Sequence, residues 1–599
     1  MPRATDPENA RHDRSEGNRT PASGHGLRQR FAGSNRRLGR PGGTAQARRH
    51  SRQPRRVRSG ADPGGFADPD DAERLPHTAH RRRDGGVAHQ VLLADGRGVA
   101  AFLRRPRDPL RPFTKHARQP TRRAGGALTV AGARGGSLIL GRWAEQQVAG
   151  WGRYPSTTAL VARPETRRDI EAAFKDREGS PVLAQGMRRS YGDAALLKGC
   201  RVIDFTHINR MLSFDEHEGW LRCEAGVTIA EIVDVFLERG WFPPVVPGTK
   251  YVTVAGALAS DIHGKNHHVA GSWSDHVRRV ELLTANGEVV TCDRATNSDL
   301  FWATAGGQGL TGMILAMDVR LGRVRSSTTA SDADQVPMID VETIRVPDLA
   351  TFLQVSAASH QREYTVGWVD GTARGRGTGR GVLMRGDWSA APRRAVRRRA
   401  ARASMARYLG SGWLINSATI KSFNTFYYRR HIRRATARTV DADRFFFPLD
   451  AVQGWNVLYG KRGFLQYQFV VPPGGGGDRV AAILEAIASS GIAASLGVIK
   501  EFGERAHGGL SFPAPGITVA LDFPNTGTRL LDLLDRLDDA VASAGGRVYL
   551  AKDARLGRES FRRMYPDWSR WKEVRDAADP DQVFQSDLGR RLGLVGDAS

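Results

Sequence analysis

Residues 247–272 read PGTKYVTVAGALASDIHGKNHHVAGS, which is the densest motif in the chain. Small residues recur there where a backbone must approach another group closely, at Gly248, at 255–257 and at Gly264. Successive exposed amides on such turns form concavities that suit a pyrophosphate. The motif has neither the G-x-G-x-x-G signature of a Rossmann domain nor a G-x-x-x-x-G-K-[ST] phosphate loop. It therefore indicates a phosphate-bearing ligand in a different kind of fold.

A second glycine cluster, GGQGLTG, occupies 306–312 and precedes an apolar segment that predicts a strand at 313–319. Upstream, short apolar strands alternate with helices, among them a helix at 229–237 capped by Thr228. This alternation predicts an α/β or α+β region. Two separated glycine turns within it indicate a long cofactor lying across the domain.

Three histidines in the first motif, His263, His267 and His268, raise the question of a metal site. Adjacent histidines on an extended segment point to opposite sides. We therefore expect no metal here and expect these rings to hydrogen-bond a cofactor or each other. Lys265, which lies among small residues, is poised for an anionic or hydroxylic ligand.

Positive charge is concentrated at the start of the chain. The 599 residues carry a formal net charge of +26, and residues 1–140 hold 29 Lys and Arg against 12 Asp and Glu. One interpretation is a disordered basic arm for nucleic acid. The other, which we favour because Lys115 is the only lysine among these basic residues, is a nonfunctional extension translated from a start codon set too early. Under either interpretation 1–140 is not expected to pack.

Compartment signals are few. Three cysteines without C-x-x-C spacing predict neither a disulfide framework nor a thiolate zinc site. No signal-peptide core and no apolar run of about 18 residues is visible. We expect a cytoplasmic or periplasmic protein that makes at most peripheral membrane contact.

Three stretches carry a resemblance to a known family: RSYGD at 189–193, DIHGKNHH at 261–268 and FWATAGG at 301–307. They resemble the vanillyl-alcohol-oxidase-type FAD flavoproteins and, more narrowly, the oxidase subunits of decaprenylphosphoryl-β-D-ribose 2′-epimerases. The same subunits are matched by FLQYQF at 464–469, LSFPAPG at 510–516, DFP at 522–524 and YLAKD at 549–553. The likeness runs from about residue 146 to residue 595.

The resemblance implies an α+β fold with a PCMH-type FAD-binding domain and an antiparallel-sheet substrate domain, the latter of the D-arabinono-1,4-lactone oxidase-like type. The implied segments are a disordered Arg-rich extension at 1–140, the FAD domain at 146–326, the substrate domain at 327–546, and a C-terminal return at 547–599 that completes the FAD domain. Periodicity agrees with this division. It predicts strands at 464–470, 495–499 and 518–523, and amphipathic helices at 479–489 and 528–543.

Site residues follow from the same resemblance. The implied FAD contacts are Gly186, Arg189, Ser190, Tyr191, Gly192, Asp193, Gly248, Thr253, Gly256, His263, Gly309, Ile314 and Tyr549. The implied substrate contacts are Trp368, Phe446, Gln468, Phe502 and Thr518, together with Lys265, Lys500 and Lys552. We expect FAD to be bound non-covalently, because Arg189 stands where alditol oxidases carry the histidine that links the flavin.

The lysines are the site residues that the sequence indicates most strongly without the family resemblance. Lys500 and Lys552 stand in apolar strands, where a lysine is costly unless it is paired or functional. We predict that Lys552 activates the substrate hydroxyl, that Lys265 and Lys500 counter a phosphate, and that Tyr191 abuts the flavin. Trp368 and Phe502 could equally be ordinary core aromatics.

The implied activity is oxidation of the C2 hydroxyl of a polyprenyl-phosphoryl ribose to a 2-keto sugar, the first half of an epimerisation towards arabinose donors for cell-wall arabinan. An NAD(P)H-dependent short-chain reductase would be the pathway partner, and no nucleic-acid partner is expected. The alternative is an FAD-dependent oxidase of a free sugar or alditol. The three lysines favour a phosphorylated substrate.

Several positions depart from the family. Arg188, Gln185 and Ala255 differ from the family pattern around the two phosphate turns, and Phe446 and Thr518 replace a tyrosine and an asparagine of the pocket. Ala520 stands where family members carry the cysteine that nitroaromatic inhibitors capture, so covalent trapping by that route should fail. The basic run at 391–407 could settle on anionic lipid, or it could be a solvated loop.

Overall fold

The computed structural model describes residues 139–140, 142–324, 335–390, 393–394 and 415–596. These residues belong to one compact unit, which spans 89–599. The predicted extension at 1–140, apart from its last two residues, lies outside the described residues. So does the basic run at 391–407, apart from Arg393 and Arg394.

The first sheet carries the first glycine turn. Its elements are β1 (Ile139–Leu140), β2 (Trp143–Ala149), β3 (Ser156–Ala162), α1 (Arg167–Lys175), β4 (Val182–Gln185) and β5 (Arg201–Asp204). The strand order is β1-β2-β3-β5-β4, and β5 runs parallel to both of its neighbours. Helix α1 begins where the sequence carries a capping box, in which Thr166 and Asp169 bond each other's backbone N–H groups. The turn at 186–192 therefore leaves the carboxyl end of a buried parallel strand.

The second sheet and its helices carry the other two glycine segments. They are β6 (Met211–Asp215), β7 (Trp220–Glu224), α2 (Ile229–Phe236), β8 (Trp241–Phe242), α3 (Val254–Ala259), α4 (His267–Ala270), β9 (Val277–Leu283), β10 (Val289–Asp293), α5 (Ser298–Thr304), β11 (Met313–Arg320) and β12 (Gly322–Arg323). The strand order β10-β9-β11-β7-β6 is antiparallel throughout, and β12 pairs with β8. The predicted strand at 313–319 and the helix capped by Thr228 are confirmed, the helix ending one residue early at Phe236.

The expectation of an extended segment at the paired histidines was wrong. His267 and His268 open the single-turn helix α4, because the carbonyl of Asn266 accepts the N–H groups of Val269 and Ala270. Their rings still diverge. His267 Nδ1 accepts from the Gly503 N–H, and His268 Nε2 lies 3.0 Å from the Arg362 carbonyl.

The largest sheet lies in the predicted substrate domain. The remaining elements are β13 (Gln335–Val336), β14 (Met338–Val346), α6 (Leu349–Ala357), β15 (Tyr364–Val369), β16 (Gly381–Trp388), β17 (Arg393–Arg394), α7 (Ser417–Arg430), β18 (Ala435–Asp441), α8 (Ala442–Phe446), β19 (Phe464–Val471), α9 (Gly476–Ser489), β20 (Leu496–Phe502), β21 (Gly516–Pro524), α10 (Thr528–Ser543), β22 (Arg547–Val548), α11 (Arg558–Met564), α12 (Trp568–Ala578) and α13 (Asp587–Leu592). Eight strands follow the order β18-β14-β16-β15-β20-β21-β19-β22, and β13 pairs with β17.

The three strands and two helices predicted for this part of the chain are confirmed, with shifted ends. Strand β20 continues to Phe502 and so includes Lys500, and α9 begins at Gly476. On one face of the sheet, side chains such as Phe469, Ile499 and Leu521 pack in a buried apolar cluster with α6, α9 and α10. Because side chains alternate along a strand, the opposite face is left for the residues between them.

The C-terminal return contacts both the eight-stranded sheet and the first sheet. Strand β22 pairs with β19, while Phe584 forms a parallel bridge to Val182 of β4. Arg591 bonds both carboxylate oxygens of Asp193 and also pairs with Asp553. These contacts fix the glycine turn after β4 against the strand that precedes Lys552.

Candidate active site

Three glycine-bearing segments meet around helix α3. A Cβ atom on Gly186 would lie 2.5 Å from Thr253 Oγ1, so the turn after β4 touches the start of the helix. At the other end of α3, the N–H groups of Gly306 and Gln308 donate to the carbonyls of Leu258 and Ala259. The arrangement gives one continuous cradle.

The cradle has the free donors and the open space that a dinucleotide requires. No acceptor within the described ranges takes the backbone N–H groups of residues 187–190. No atom of the described residues lies within 4 Å of the position a Cβ atom would take on Gly248 or on Gly309, whose φ of +78° favours glycine. Consecutive unpaired amides bind phosphate oxygens, and glycine lets such a ligand approach the main chain. These residues fit FAD.

His263 adds a buried donor to this cradle. Its Nε2 atom lies 3.0 Å from the Gln468 side-chain nitrogen, which can only donate, so the ring proton is assigned to Nδ1. Burial, with Lys500 and Lys552 nearby, holds the pKa of His263 well below its usual range. Nδ1 is buried and has no partner among the described residues. The neutral ring therefore offers one N–H to a bound acceptor.

Most other predicted FAD contacts surround the same cradle. Arg189 donates to the Tyr251 carbonyl and stacks 4.2 Å from the Trp151 ring, and the Tyr549 hydroxyl donates to the Ser260 carbonyl. Their further positions are as follows: Ser190 accepts from the Trp151 N–H, Thr253 caps α3 by accepting from Gly256, and Ile314 is buried in β11.

Two predicted FAD residues also contact the C-terminal return. Both carboxylate oxygens of Asp193 bond Arg591. A Cβ atom on Gly192 would lie 1.9 Å from the Asp553 carbonyl oxygen. These contacts hold the turn against the C-terminal return, and the contacts of Gly192 and Asp193 with FAD stay predictions.

On the substrate face of the eight-stranded sheet, paired residues of four neighbouring strands form a row, which we call the strand row. Gln468 of β19 faces Ala520 of β21, which faces Val498 of β20, which faces Trp368 of β15. One pleat along, Lys500 faces Thr518. Pairing thus brings residues from four strands onto one side of the sheet, with His263 bonded to its edge through Gln468.

Aromatic side chains close this face. Phe502 lies 4.8 Å from the ring of His263, and Phe446 is buried against Phe242 and Tyr364. Trp368 is 6% exposed and packs 4.7 Å from the Tyr427 ring. Phe446 is part of a larger aromatic cluster, so of the predicted substrate contacts it has the most core-like surroundings.

Two of the three predicted lysines lie side by side. Lys265 donates to the Phe445 carbonyl, with its Nζ atom 4.3 Å from the Phe445 ring, and Lys500 donates to the Gly264 carbonyl at 3.2 Å. Burial lowers the pKa of Lys500 to about 8. Burial and then the Lys500 charge lower the pKa of Lys265 to about 7. Neither has a carboxylate partner among the described residues, so the two amines are buried without an acidic counter-charge.

Lys552 lies on the other side of the row. It follows β22 in a short turn, and its Nζ atom lies 3.8 Å from the centroid of the Tyr191 ring. The Tyr191 N–H donates to the Ala551 carbonyl, which fixes the two residues relative to each other. Burial lowers the pKa of Lys552, the Asp522 carboxylate opposes this, and Lys500 reinforces it.

Sequence reasoning missed Asp522 and Gln466 as site residues. Both stand on the substrate face, directly opposite each other, and the Gln466 amide donates to Asp522 Oδ1 at 2.5 Å. Oδ2 is buried without a partner among the described residues. Burial raises the pKa of Asp522, while the Gln466 bond and Lys552 lower it. An aspartate inside an apolar strand was the available signal, by the same reasoning that singled out the lysines.

Within the ranges described, no three His, Cys, Asp or Glu side chains are grouped as metal ligands. In the same ranges, no helix is both long and apolar enough to cross a bilayer.

Comparisons with known proteins define the class. An FAD-binding-domain family model matches residues 158–293, which contain the first two glycine segments of the cradle and helix α3, and a D-arabinono-1,4-lactone oxidase model matches 523–592, which contain Lys552. The cytokinin dehydrogenase 3 of Arabidopsis thaliana is 28% identical over 180 residues, covering 28% of this chain and 33% of that protein. The chain is an FAD-dependent oxidoreductase with an FAD-binding PCMH-type domain.

Comparison with relatives that match most of the chain defines a narrower family. The decaprenylphosphoryl-β-D-ribose oxidase of Mycolicibacterium smegmatis is 37% identical over 461 residues, covering 75% of this chain and 98% of that protein. An uncharacterized Streptomyces coelicolor protein is 37% identical over 382 residues, covering 61% of this chain and all of that protein. The chain belongs to the decaprenylphosphoryl-β-D-ribose oxidase family.

Proposed function

We propose that this protein oxidises the C2 hydroxyl of a polyprenyl-phosphoryl ribose to the 2-keto sugar. The observation that carries the proposal is the position of Lys265, Lys500 and Lys552, three buried lysines that lie around the substrate face beside the FAD cradle. Burying three ammonium groups without carboxylate partners for two of them is unfavourable. A phosphate is the ligand that offsets this cost.

The cradle contains the groups that would contact the cofactor. The amides of 187–190 would hold its diphosphate, Gly248 and Gly309 would admit it to the main chain, and His263 Nδ1–H would donate to it. Bound non-covalently, FAD supplies the two-electron acceptor that takes the hydride from the sugar carbon. The protein contributes orientation and proton transfer.

Lys552 is the proposed proton acceptor. Its lowered pKa provides a fraction of neutral amine near neutral pH, and only the neutral amine can take a proton. As the C2 carbon loses its hydride, the C2 hydroxyl loses its proton to Lys552 Nζ, and the C–O bond becomes a carbonyl. The Tyr191 ring then lies under the new ammonium charge and stabilises it.

Lys265 and Lys500 are the proposed phosphate ligands. Each already gives one N–H to a backbone carbonyl, which orients the remaining donors. An incoming phosphate raises the pKa of both lysines and keeps them charged. The sugar is thereby anchored through its phosphate, while Gln468, Thr518 and Trp368 line its path to Lys552.

The proposal also covers the pathway partner and the location of the protein. An NAD(P)H-dependent short-chain reductase would return the keto sugar to the arabino epimer. A lipid-linked substrate requires peripheral contact with a membrane, from the cytoplasmic or the periplasmic side.

Anaerobic titration of the purified yellow protein tests the function. Polyprenyl-phosphoryl ribose should bleach the flavin absorbance, whereas unphosphorylated ribose and alditols should not. Bleaching by alditols alone would establish the alternative, an oxidase of free sugars or alditols. A protein purified without flavin that cannot be reconstituted with FAD would contradict both.

A further inference from the structure

A surface at the end of α7 combines exposed apolar side chains with exposed arginines. Ile432 is 83% exposed, which makes it the most exposed large apolar residue in the described part of the chain, and Phe426 is 52% exposed. Both lie between the last turns of α7 and the start of β18. A single exposed apolar side chain is ordinary, whereas exposed apolar side chains rimmed by polar residues mark a protein or membrane contact.

The charged residues along this stretch of the chain have one sign. Residues 415–440 contain six lysines and arginines and not one aspartate or glutamate. Arg429, Arg433 and Arg434 are exposed beside the two apolar side chains. We call Phe426, Arg429, Ile432, Arg433 and Arg434 the α7 surface. Its composition is that of an interfacial element, in which apolar tips enter the acyl boundary while arginines contact anionic head groups.

The α7 surface is connected to the substrate face. Tyr427 follows Phe426 directly and packs 4.7 Å from Trp368 of the strand row. His431 Nδ1 lies 2.9 Å from the Tyr427 carbonyl, which fixes the end of the helix next to Ile432. A lipid held at the α7 surface therefore lies one aromatic layer away from the proposed substrate path.

We infer that the α7 surface docks the protein on an anionic lipid bilayer and presents the lipid-linked sugar to the Trp368 side of the site. This inference rests on the proposed function, because only a membrane-held substrate gives the docking a purpose. A bilayer fits better than nucleic acid, since the most exposed side chain is aliphatic and cannot stack on a base.

Vesicle binding by the full-length, FAD-loaded protein tests the inference. Sedimentation with vesicles of phosphatidylglycerol and phosphatidylcholine is compared with vesicles of phosphatidylcholine alone. The double variant Phe426→Ser/Ile432→Ser should lose at least fivefold in binding to the anionic vesicles. Arg433→Gln/Arg434→Gln should lose binding at low salt and differ less from the native protein at high salt.

A matched control keeps the result specific. Leu212→Ser changes a 47% exposed leucine on β6, outside the α7 surface, and should bind vesicles like the native protein. The basic residues of 1–140 are present in every variant, so only differences between variants count. Equal vesicle binding by the native protein and Phe426→Ser/Ile432→Ser would overturn the inference. A competition in which the native protein binds duplex DNA in preference to anionic vesicles would overturn it as well.

A second measurement separates this inference from the proposed function. Flavin reduction by a short-chain, water-soluble phosphoryl ribose should be the same in Phe426→Ser/Ile432→Ser and in the native protein. If no phosphoryl ribose reduces the flavin, the proposed function fails whatever the vesicles show. If the short-chain substrate works and the double variant still binds vesicles, the docking inference alone fails.

Discussion

The Nζ atom of Lys552 lies 3.8 Å from the centroid of the Tyr191 ring, although the two residues are 361 positions apart in the chain. The Tyr191 N–H donates to the Ala551 carbonyl, so backbone pairing enforces the approach. A lysine from the C-terminal return is thereby aimed at the cofactor cradle built by the first glycine turn.

Replacing Lys552 should stop the oxidation without removing the cofactor. Lys552→Met deletes the proposed proton acceptor, so the rate of anaerobic flavin reduction by substrate should fall by about 10²- to 10⁴-fold. The FAD content per protein should stay unchanged. Lys198→Met, at an exposed lysine, is the control. Reduction of Lys552→Met at the native rate would remove Lys552 from the mechanism.

Replacing Asp522 should move the pH dependence of the reaction. The Asp522 carboxylate raises the pKa of Lys552, so Asp522→Asn should lower it further. Because the neutral amine is the active form, the acidic limb of the kcat/KM profile should shift to lower pH, by about one pH unit. A purely structural aspartate would instead lower kcat/KM at every pH and leave the limb in place.

Replacing Lys500 should stabilise the protein while weakening phosphate binding. Burial lowers the pKa of folded Lys500 from 10.5 to about 8. A cation whose folded-state pKa is lowered destabilises the fold below that pKa, and the penalty fades as pH rises towards the unfolded value. Lys500→Met should therefore raise the free energy of unfolding of the apoprotein by roughly 1–3 kcal/mol at pH 7 and by less at pH 9.5.

The same variant supplies a functional readout. The KM for a phosphoryl sugar should rise with Lys500→Met, because one of two proposed phosphate ligands is gone. A variant that is less stable than the native protein at pH 7, or that keeps the native KM, would contradict the assignment of Lys500 as a buried cation that binds the substrate phosphate.

Local signals in the sequence predicted the elements, whereas the site depended on pairing between distant strands. The Thr228 cap, the leucine spacing of α10 and the costly lysines could all be identified from neighbouring residues. The row from Gln468 through Ala520 and Val498 to Trp368 could not, because strand order and register arise from non-local contacts. Asp522 did carry a local signal, as an aspartate inside an apolar strand, but only the register places it opposite Gln466.

Enlarging Gly248 should block the cofactor and leave the fold intact. A Cβ atom there would meet no atom of the described residues within 4 Å, so Gly248→Leu should extend into the space proposed for FAD. Its affinity for FAD should fall by about tenfold or more, in line with the cost of overfilling a packed site. Gly557→Leu is the control, because it also points into open space but lies outside the cradle. Equal flavin content in the two variants would place FAD elsewhere.

Position 520 should decide whether nitroaromatic inhibitors of this family can trap the protein covalently. Ala520 lies on the substrate face between Gln468 and Val498, so its Cβ is directed towards the proposed sugar path. The chain has no thiol there. Cys223 and Cys292 are buried in the second sheet, and burial raises the pKa of both thiols, which makes them poor nucleophiles. Intact-mass measurement after turnover with such an inhibitor should show no adduct on the native protein and one adduct on Ala520→Cys. No adduct on Ala520→Cys, although its flavin is still reduced by substrate, would show that the strand row does not face the reacting groups.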